Sequence, residues 1–318
     1  MFEAAHILEQ IALSHVCSAM RIHAIINERA GSVLGQDLAV IEQSIKDPFV
    51  NAGHDISVEF CEPKKLVPLI EAAAKSDIDV ILVGGGDGTV RSGARIAISN
   101  GKTLGILPLG TLNRMARDLE IPLDIAAASA ALAKSKPGVI DVASLNDKIF
   151  LCNSLIGLPP EYSTERQRMR GKPWRERMVG YTRAIKTILS SRKRLRITID
   201  DGVEQKPLRV ISLAVANNAY CEEPGLGLVR PHLDKGELAV YASRHRSGWA
   251  MVRAMVRAIV GRWKGDPQLM QFRGQEITVR VARNWLRVSN DGEVETYATP
   301  LRYKTHPKAL SILLPERA

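Results

Sequence analysis

Val80, Ile81, Leu82 and Val83 run directly into Gly84, Gly85, Gly86, Asp87, Gly88 and Thr89, a junction that few folds accommodate. Four apolar, mostly β-branched residues suit a buried strand, and consecutive glycines suit a turn with unusual backbone angles or a close approach. Apolar residues at roughly helical spacing across 90–98 predict a helix opening at that turn. Strand, glycine turn and helix N-terminus together aim backbone N–H groups at one point, which suits a phosphate. A tight strand-to-helix turn that binds nothing is the plainer alternative, but three glycines cost it backbone entropy.

The surrounding chain repeats this rhythm. Residues 21–27 read as a first strand, 36–46 as a helix, 55–60 as a second strand and 66–75 as a helix. A fourth strand at 103–107 ends at Pro108, and Gly110, Thr111, Leu112 and Asn113 form a second glycine turn before another helical stretch. An Ala-rich helix is expected at 125–133. Alternating strands and helices predict an α/β N-terminal nucleotide-binding domain with a mostly parallel sheet, at residues 20–137. Both glycine turns then fall at carboxyl ends of strands, where open α/β sheets place ligands.

From residue 138 the pattern changes to strands at 139–142, 149–153, 195–199, 210–215, 238–241, 276–281, 285–288 and 310–314. This predicts a second, mainly antiparallel β-rich domain at 138–318 with basic helical insertions. The active site is expected in the cleft between the domains, and the last residues are candidates to pack back on the first. Residues 1–19 read as a short helical extension, and Met20, just before the first strand, is an alternative start.

Charge narrows the partners. The chain carries a net charge of +10, with twelve Lys or Arg against four Asp or Glu in 161–200. Helical stripes are expected at 173–191 and 247–264, the latter setting Trp249, Val252, Val256, Ile259 and Trp263 opposite Arg253 and Arg257. Solvated helices capping a sheet are one reading; a basic amphipathic face on an anionic membrane surface is the sharper one. Only 5% of residues are aromatic, which disfavours nucleic acid. Cys17, Cys61, Cys152 and Cys221 show no paired spacing and the histidines no zinc-binding pair, so reduced thiols in a cytoplasmic protein are expected.

A nucleotide domain with two phosphate-cradling turns beside a basic, lipid-compatible domain suggests phosphoryl transfer. The chain has no GxxxxGK[ST] and no protein-kinase catalytic loop, which excludes those two classes. The base should be a carboxylate, with Asp87 and Asp291 as candidates. Asp291–Gly292–Glu293 equally suits a plain hairpin turn.

These residues resemble the diacylglycerol kinase catalytic-domain family of lipid kinases, which includes bacterial diacylglycerol kinases, sphingosine kinases and ceramide kinases. Gly85–Gly86–Asp87–Gly88–Thr89 is similar to the family's GGDGT, which NAD kinases also carry. Pro108 to Asn113 is similar to its P-x-G-T-x-N motif, Asn27 to Gly31 to its first-strand turn, and Asp291–Gly292–Glu293 to its late DGE. The resemblance implies ATP and Mg²⁺ as cofactors and a lipid hydroxyl, diacylglycerol-like or sphingoid, as acceptor at the membrane surface. It implies that Asn27, Gly85, Gly86, Gly88, Thr89, Gly110, Thr111 and Asn113 line the ATP site, with Asp87 near the phosphates or their Mg²⁺. It further implies Asp291 as general base, supported by Glu293.

Three positions depart from the family. Glu28 replaces a proline, Arg114 replaces a common aspartate, and Lys235 interrupts a Leu-Asp-Asp-Gly segment in which Asp234 would serve a structural Mg²⁺. The alternatives are therefore an NAD-kinase-type enzyme with a soluble acceptor, or a catalytically impaired lipid- or nucleotide-binding protein. A homodimer is one open assembly.

Overall fold

The structure is a computed structural model and describes residues 19–157, 194–223, 228–245 and 247–316. The helix expected at 173–191 and the extension before residue 19 lie outside the described residues. The first half runs β1 (Arg21–Asn27), α1 (Leu38–Asn51), β2 (Asp55–Cys61), α2 (Pro63–Lys75), β3 (Val80–Gly85), α3 (Asp87–Asn100), β4 (Thr103–Pro108), α4 (Arg114–Asp118) and α5 (Ile125–Ala133). Its strands lie in the order β2-β1-β3-β4, all parallel. Every residue of β3 is buried, which explains why its sequence is a continuous apolar run rather than an alternation. Polar caps mark the helix starts: Asp37 accepts from the Ala39 amide and Asp124 from the Ala127 amide.

The second half holds β5 (Lys136–Leu145), β6 (Lys148–Phe150), β7 (Asn153–Ile156), β8 (Leu195–Asp200), β9 (Gln205–Val210), β10 (Ser212–Asn217), β11 (Leu238–Ser243), α6 (Gly248–Ile259), β12 (Leu269–Gly274), β13 (Glu276–Val281), β14 (Trp285–Asn290), β15 (Glu293–Ala298) and β16 (Leu301–Leu314). An antiparallel sheet runs β12-β11-β10-β7-β14-β15. Val215, Val240 and Val288 from this sheet pack with Ile199, Val279 and Leu301 from the other, forming one buried cluster.

The parallel sheet does not stop at the domain boundary. β16 pairs antiparallel with β5 from Tyr303 to Leu314, with a register shift between His306 and Leu310, and with β13 over its first part, and its Ile312 lies parallel to Leu104 of β4. The result is a single ten-stranded sheet, β2-β1-β3-β4-β16-β13-β8-β9 with β5 and β6 alongside.

Two expected strands are broken. Residues 210–215 divide at Ile211 between β9 and β10, which belong to different sheets. Residues 149–153 divide at Leu151 and Cys152, because a distant carboxylate takes the amides that a ladder would use, as described below.

A buried ion pair ties the halves together. Arg230 donates through Nε (3.1 Å) and Nη2 (2.5 Å) to Asp118 at the end of α4, and through Nη1 to the carbonyls of Leu151 and Asn217. Arg230 is fully buried and Asp118 nearly so. Asp118→Asn keeps the shape but leaves an uncompensated buried cation, so we expect a loss of about 3–5 kcal/mol in chemical denaturation.

Buried tyrosines make the second half alkali-sensitive. Burial pushes Tyr220 and Tyr297 up to about 12, and pushes Tyr303 upward as well. Tyrosines in the unfolded chain ionise near pH 10. Their stabilising contribution is therefore intact below about pH 10 and lost as pH rises toward 12. Unfolding midpoints measured across that window should fall, with Tyr220 alone contributing on the order of 2 kcal/mol.

Candidate active site

Chain crossovers diverge between β1 and β3, so the carboxyl ends of these strands border the crevice where α/β sheets bind ligands. Three loops converge there. The Leu109 amide donates to the Gly85 carbonyl at 3.1 Å, and the Ser32 amide donates to the Leu109 carbonyl at 3.3 Å. A Cβ on Gly110 would lie 2.4 Å from the Gly86 Cα, so the two glycine turns pack backbone against backbone. That closeness brings main chain against main chain at the mouths of the two turns, with the Asn113 side chain beside Gly110.

The polar residues of these turns mostly hold the turns. Asn113 sits in the left-handed region (φ 48°), accepts from the Gly110 amide at 2.9 Å and donates to the Pro108 and Gly110 carbonyls. Its side chain therefore locks the second turn. Asn27 accepts from the Arg29 amide at 3.0 Å. Thr89 folds over Gly85, where a Cβ would come within 2.5 Å of its Oγ1, and Thr111 is exposed at the rim. Asp87 accepts from the Arg114 amide at 2.8 Å, joining the first turn to α4.

The opposite wall comes from the β14–β15 turn. Asp291 is buried with φ 48°, and its carboxylate accepts from the amides of Leu151 (2.8 Å, Oδ2), Cys152 (2.8 Å, Oδ1) and Asn153 (3.1 Å, Oδ1). A carboxylate offers about four lone-pair sites, so these bonds leave one, on Oδ2. Glu293 reaches the glycine turn itself: it pairs with Arg91 of α3, and a Cβ on Gly88 would lie 2.5 Å from its Oε1. Arg91 also bonds the Asn290 carbonyl at 3.4 Å and lies 3.6 Å from Glu295. The two motifs, about 200 residues apart in sequence, thus form one site.

Beside this junction lies a cavity of about 430 Å³ whose walls include Arg114, Arg117, Cys152, Asn153 and Tyr220. Arg114 Nη1 donates to Asn153 Oδ1 at 3.1 Å, and Asn153 Nδ2 donates to the Tyr220 hydroxyl at 2.6 Å. Burial pushes the Cys152 thiol well above its ordinary range, so it stays neutral although Arg230 Nη2 lies 3.3 Å away. Arg114 and Arg117 give the cavity a cationic mouth suited to phosphate.

No three His, Cys, Asp or Glu side chains converge as a metal set among the described residues. Asp234 is exposed, and the turn around it is organised by Asp141, which accepts from the amides of Gly236 (2.5 Å) and Lys308 (2.8 Å). Among the described residues no helix is long and apolar enough to cross a membrane.

Arg91, Asn153 and Asp141 were not singled out from sequence. Arg91, one helical turn past Asp87, carried a weak signal as a cation near a helix N-terminus that calls for an acidic partner. Asn153 and Asp141 carried none, since their partners are distant in the chain.

The fold and site define a two-part α/β protein whose glycine turns and Asp291–Glu293 turn meet at the junction of its halves. Residues 21–145 match the family model of the diacylglycerol kinase catalytic domain, and residues 164–314 match that of the YegS C-terminal NAD kinase beta sandwich-like domain. The chain's N-terminal part is thus similar to the diacylglycerol kinase catalytic domain, and its C-terminal part to the YegS sandwich domain. A Yersinia enterocolitica protein named "Probable lipid kinase YegS-like" is 37% identical over 126 residues, covering 38% of this chain and 42% of that protein. A Pseudomonas aeruginosa protein of the same name is 42% identical over 87 residues, covering 26% of this chain and 28% of its own length. The matched stretch is thus under half the length of either relative. A crystal structure of a diacylglycerol kinase from Bacillus anthracis str. Sterne shares the fold, with TM-score 0.70 and 20% identity over 94% of this chain and 98% of that one.

Proposed function

We propose that the chain is an ATP-dependent lipid kinase that transfers the γ-phosphate to a lipid hydroxyl at a membrane surface. The observation that carries this reading is the meeting of the closely packed Gly86–Gly110 turns with the Asp291–Glu293 turn across one cleft. Backbone N–H groups at a glycine turn that opens a helix suit a triphosphate. Arg114 and Arg117 then stand at the cavity mouth to hold the anionic group being transferred. Asp291, fixed by three amides, keeps one Oδ2 lone pair to accept the acceptor hydroxyl's proton.

The residues fit a nucleotide-borne Mg²⁺, which commonly takes one or two protein carboxylates plus phosphate oxygens. Asp87 is the carboxylate at the phosphate loop that would hold it. Bound there, Mg²⁺ would offset negative charge on the transferred group. Asp234, exposed and beside Lys235, is a poor second site.

The match of the second domain to an NAD kinase sandwich favours one alternative, a soluble acceptor. Radiolabelled ATP offered with a total lipid extract and with NAD separates the readings. Label in a lipid supports the proposal; label only in NADP overturns it. Liposome binding with no labelled product would make the protein a binder, impaired through Glu28, Arg114 or Lys235.

A further inference from the structure

The end of the sandwich where β8 begins and β13 ends carries a groove of about 550 Å³ lined by five arginines, Arg194, Arg196, Arg209, Arg244 and Arg280. Strand register explains why they converge. Arg196 lies directly opposite Arg209 in the β8–β9 pair, and Arg280 lies opposite Thr198, two residues from Arg196 on the same face. Ile197 and Ile199 alternate onto the other, buried face. Like charges directly opposite one another weaken a strand pair, and here a third arginine joins them.

Among the described residues these cations are scarcely offset: the one ion pair they make there is Arg280 with Asp200, at 3.8 Å. Arg244 bonds the Met270 sulfur at 3.4 Å. Planar guanidinium groups gathered around a groove recognise phosphate oxygens, often two at a time.

Two exposed tryptophans indicate where that phosphate is carried. Trp285 is 64% exposed and follows groove-lining Ala282 by three residues; Trp249 is 78% exposed and follows Arg244 by five. An extended chain covers at most about 3.5 Å per residue, so the Cα atoms of both tryptophans lie within roughly 10–18 Å of those groove-lining residues. Exposed tryptophan beside clustered arginine is the chemistry of a bilayer interface: indole at headgroup depth, guanidinium on phosphate.

We infer that this arginine groove, flanked by Trp249 and Trp285, seats the phosphate headgroups of an anionic phospholipid bilayer. It adds a membrane-facing site to the lipid-kinase reading, and binding can be measured without turnover, so the two fail separately. The full chain is floated with vesicles of phosphatidylcholine alone or mixed with phosphatidylglycerol. The wild type should float with the mixed vesicles only, and less as salt rises.

R196Q/R209Q/R280Q should bind those vesicles on the order of a hundredfold more weakly, since each surface arginine contributes roughly fivefold. Its thermal unfolding, and its turnover on a short-chain acceptor dispersed in detergent, should match the wild type. R196K/R209K/R280K keeps the charge and should bind within a few-fold of wild type, which separates charge from folding. Undiminished flotation of the glutamine variant overturns the inference by moving the contact elsewhere. Release from vesicles by millimolar glycerol phosphate would make this a site for a free phosphate ester. Release by duplex DNA at equal phosphate concentration, lost in the glutamine variant, would make it a nucleic-acid surface.

Discussion

Asp291→Asn is expected to lower phosphoryl transfer on the order of 10²–10⁴-fold, the usual contribution of a positioned base, while ATP still binds. The same change should weaken the fold. An amide has one oxygen, whereas the Asp291 carboxylate serves three buried N–H groups through two. The Asn nitrogen would face at least one donor, and each unsatisfied buried group costs about 1–3 kcal/mol. Turnover and ATP affinity should therefore be measured well below the variant's unfolding temperature. Loss of turnover with ATP binding intact supports the base role; retained turnover would leave Asp291 as an anchor of the Leu151–Asn153 turn and return the base to Asp87.

Gly110→Ala should act on the nucleotide instead. Its new Cβ meets the Gly86 Cα at 2.4 Å and the Asn113 Oδ1 at 2.8 Å, so two main chains must separate. Overpacking of this kind costs about 1–3 kcal/mol of stability, and by spreading the two turns it should weaken ATP binding. Gly88→Ala is the control, because its Cβ meets only the end of the Glu293 side chain, which can swing away. Calorimetric titration with ATP should find Gly88→Ala within a few-fold of wild type. Equal affinities for Gly110→Ala and wild type would mean that the glycine turns do not form the nucleotide wall.

The parallel half of the fold was legible because its signals are local. A run such as 80–85 announces a doubly buried strand, and the glycines after it announce the turn. The two glycine motifs could be paired on sequence grounds as one wall, and the late Asp291–Glu293 turn could be assigned to the opposite one. What that turn does was less legible. Its carboxylate binds amides about 140 residues away, so the break between β6 and β7 has no signal near Leu151. Asn113 looked like a ligand residue, yet its geometry is that of a turn lock, a distinction that depends on φ and on carbonyls three and five residues back.

Long-range charge was similarly hidden. Asp118 and Arg230 are unremarkable at their own positions, and only the packing of α4 against the second domain turns them into a buried pair. The groove arginines of β8, β9 and β13 are spread over 196–280, and strand register gathers them. Net charge pointed to an anionic partner but could not say which face meets it.

The most direct test is a crystal structure with a non-hydrolysable ATP analogue and Mg²⁺. The triphosphate should lie across the Gly86–Gly110 junction, with Asp87 toward the metal and the terminal phosphate facing Asp291 Oδ2. A triphosphate seated elsewhere, in the arginine groove for example, with the glycine turns bare, would contradict the account.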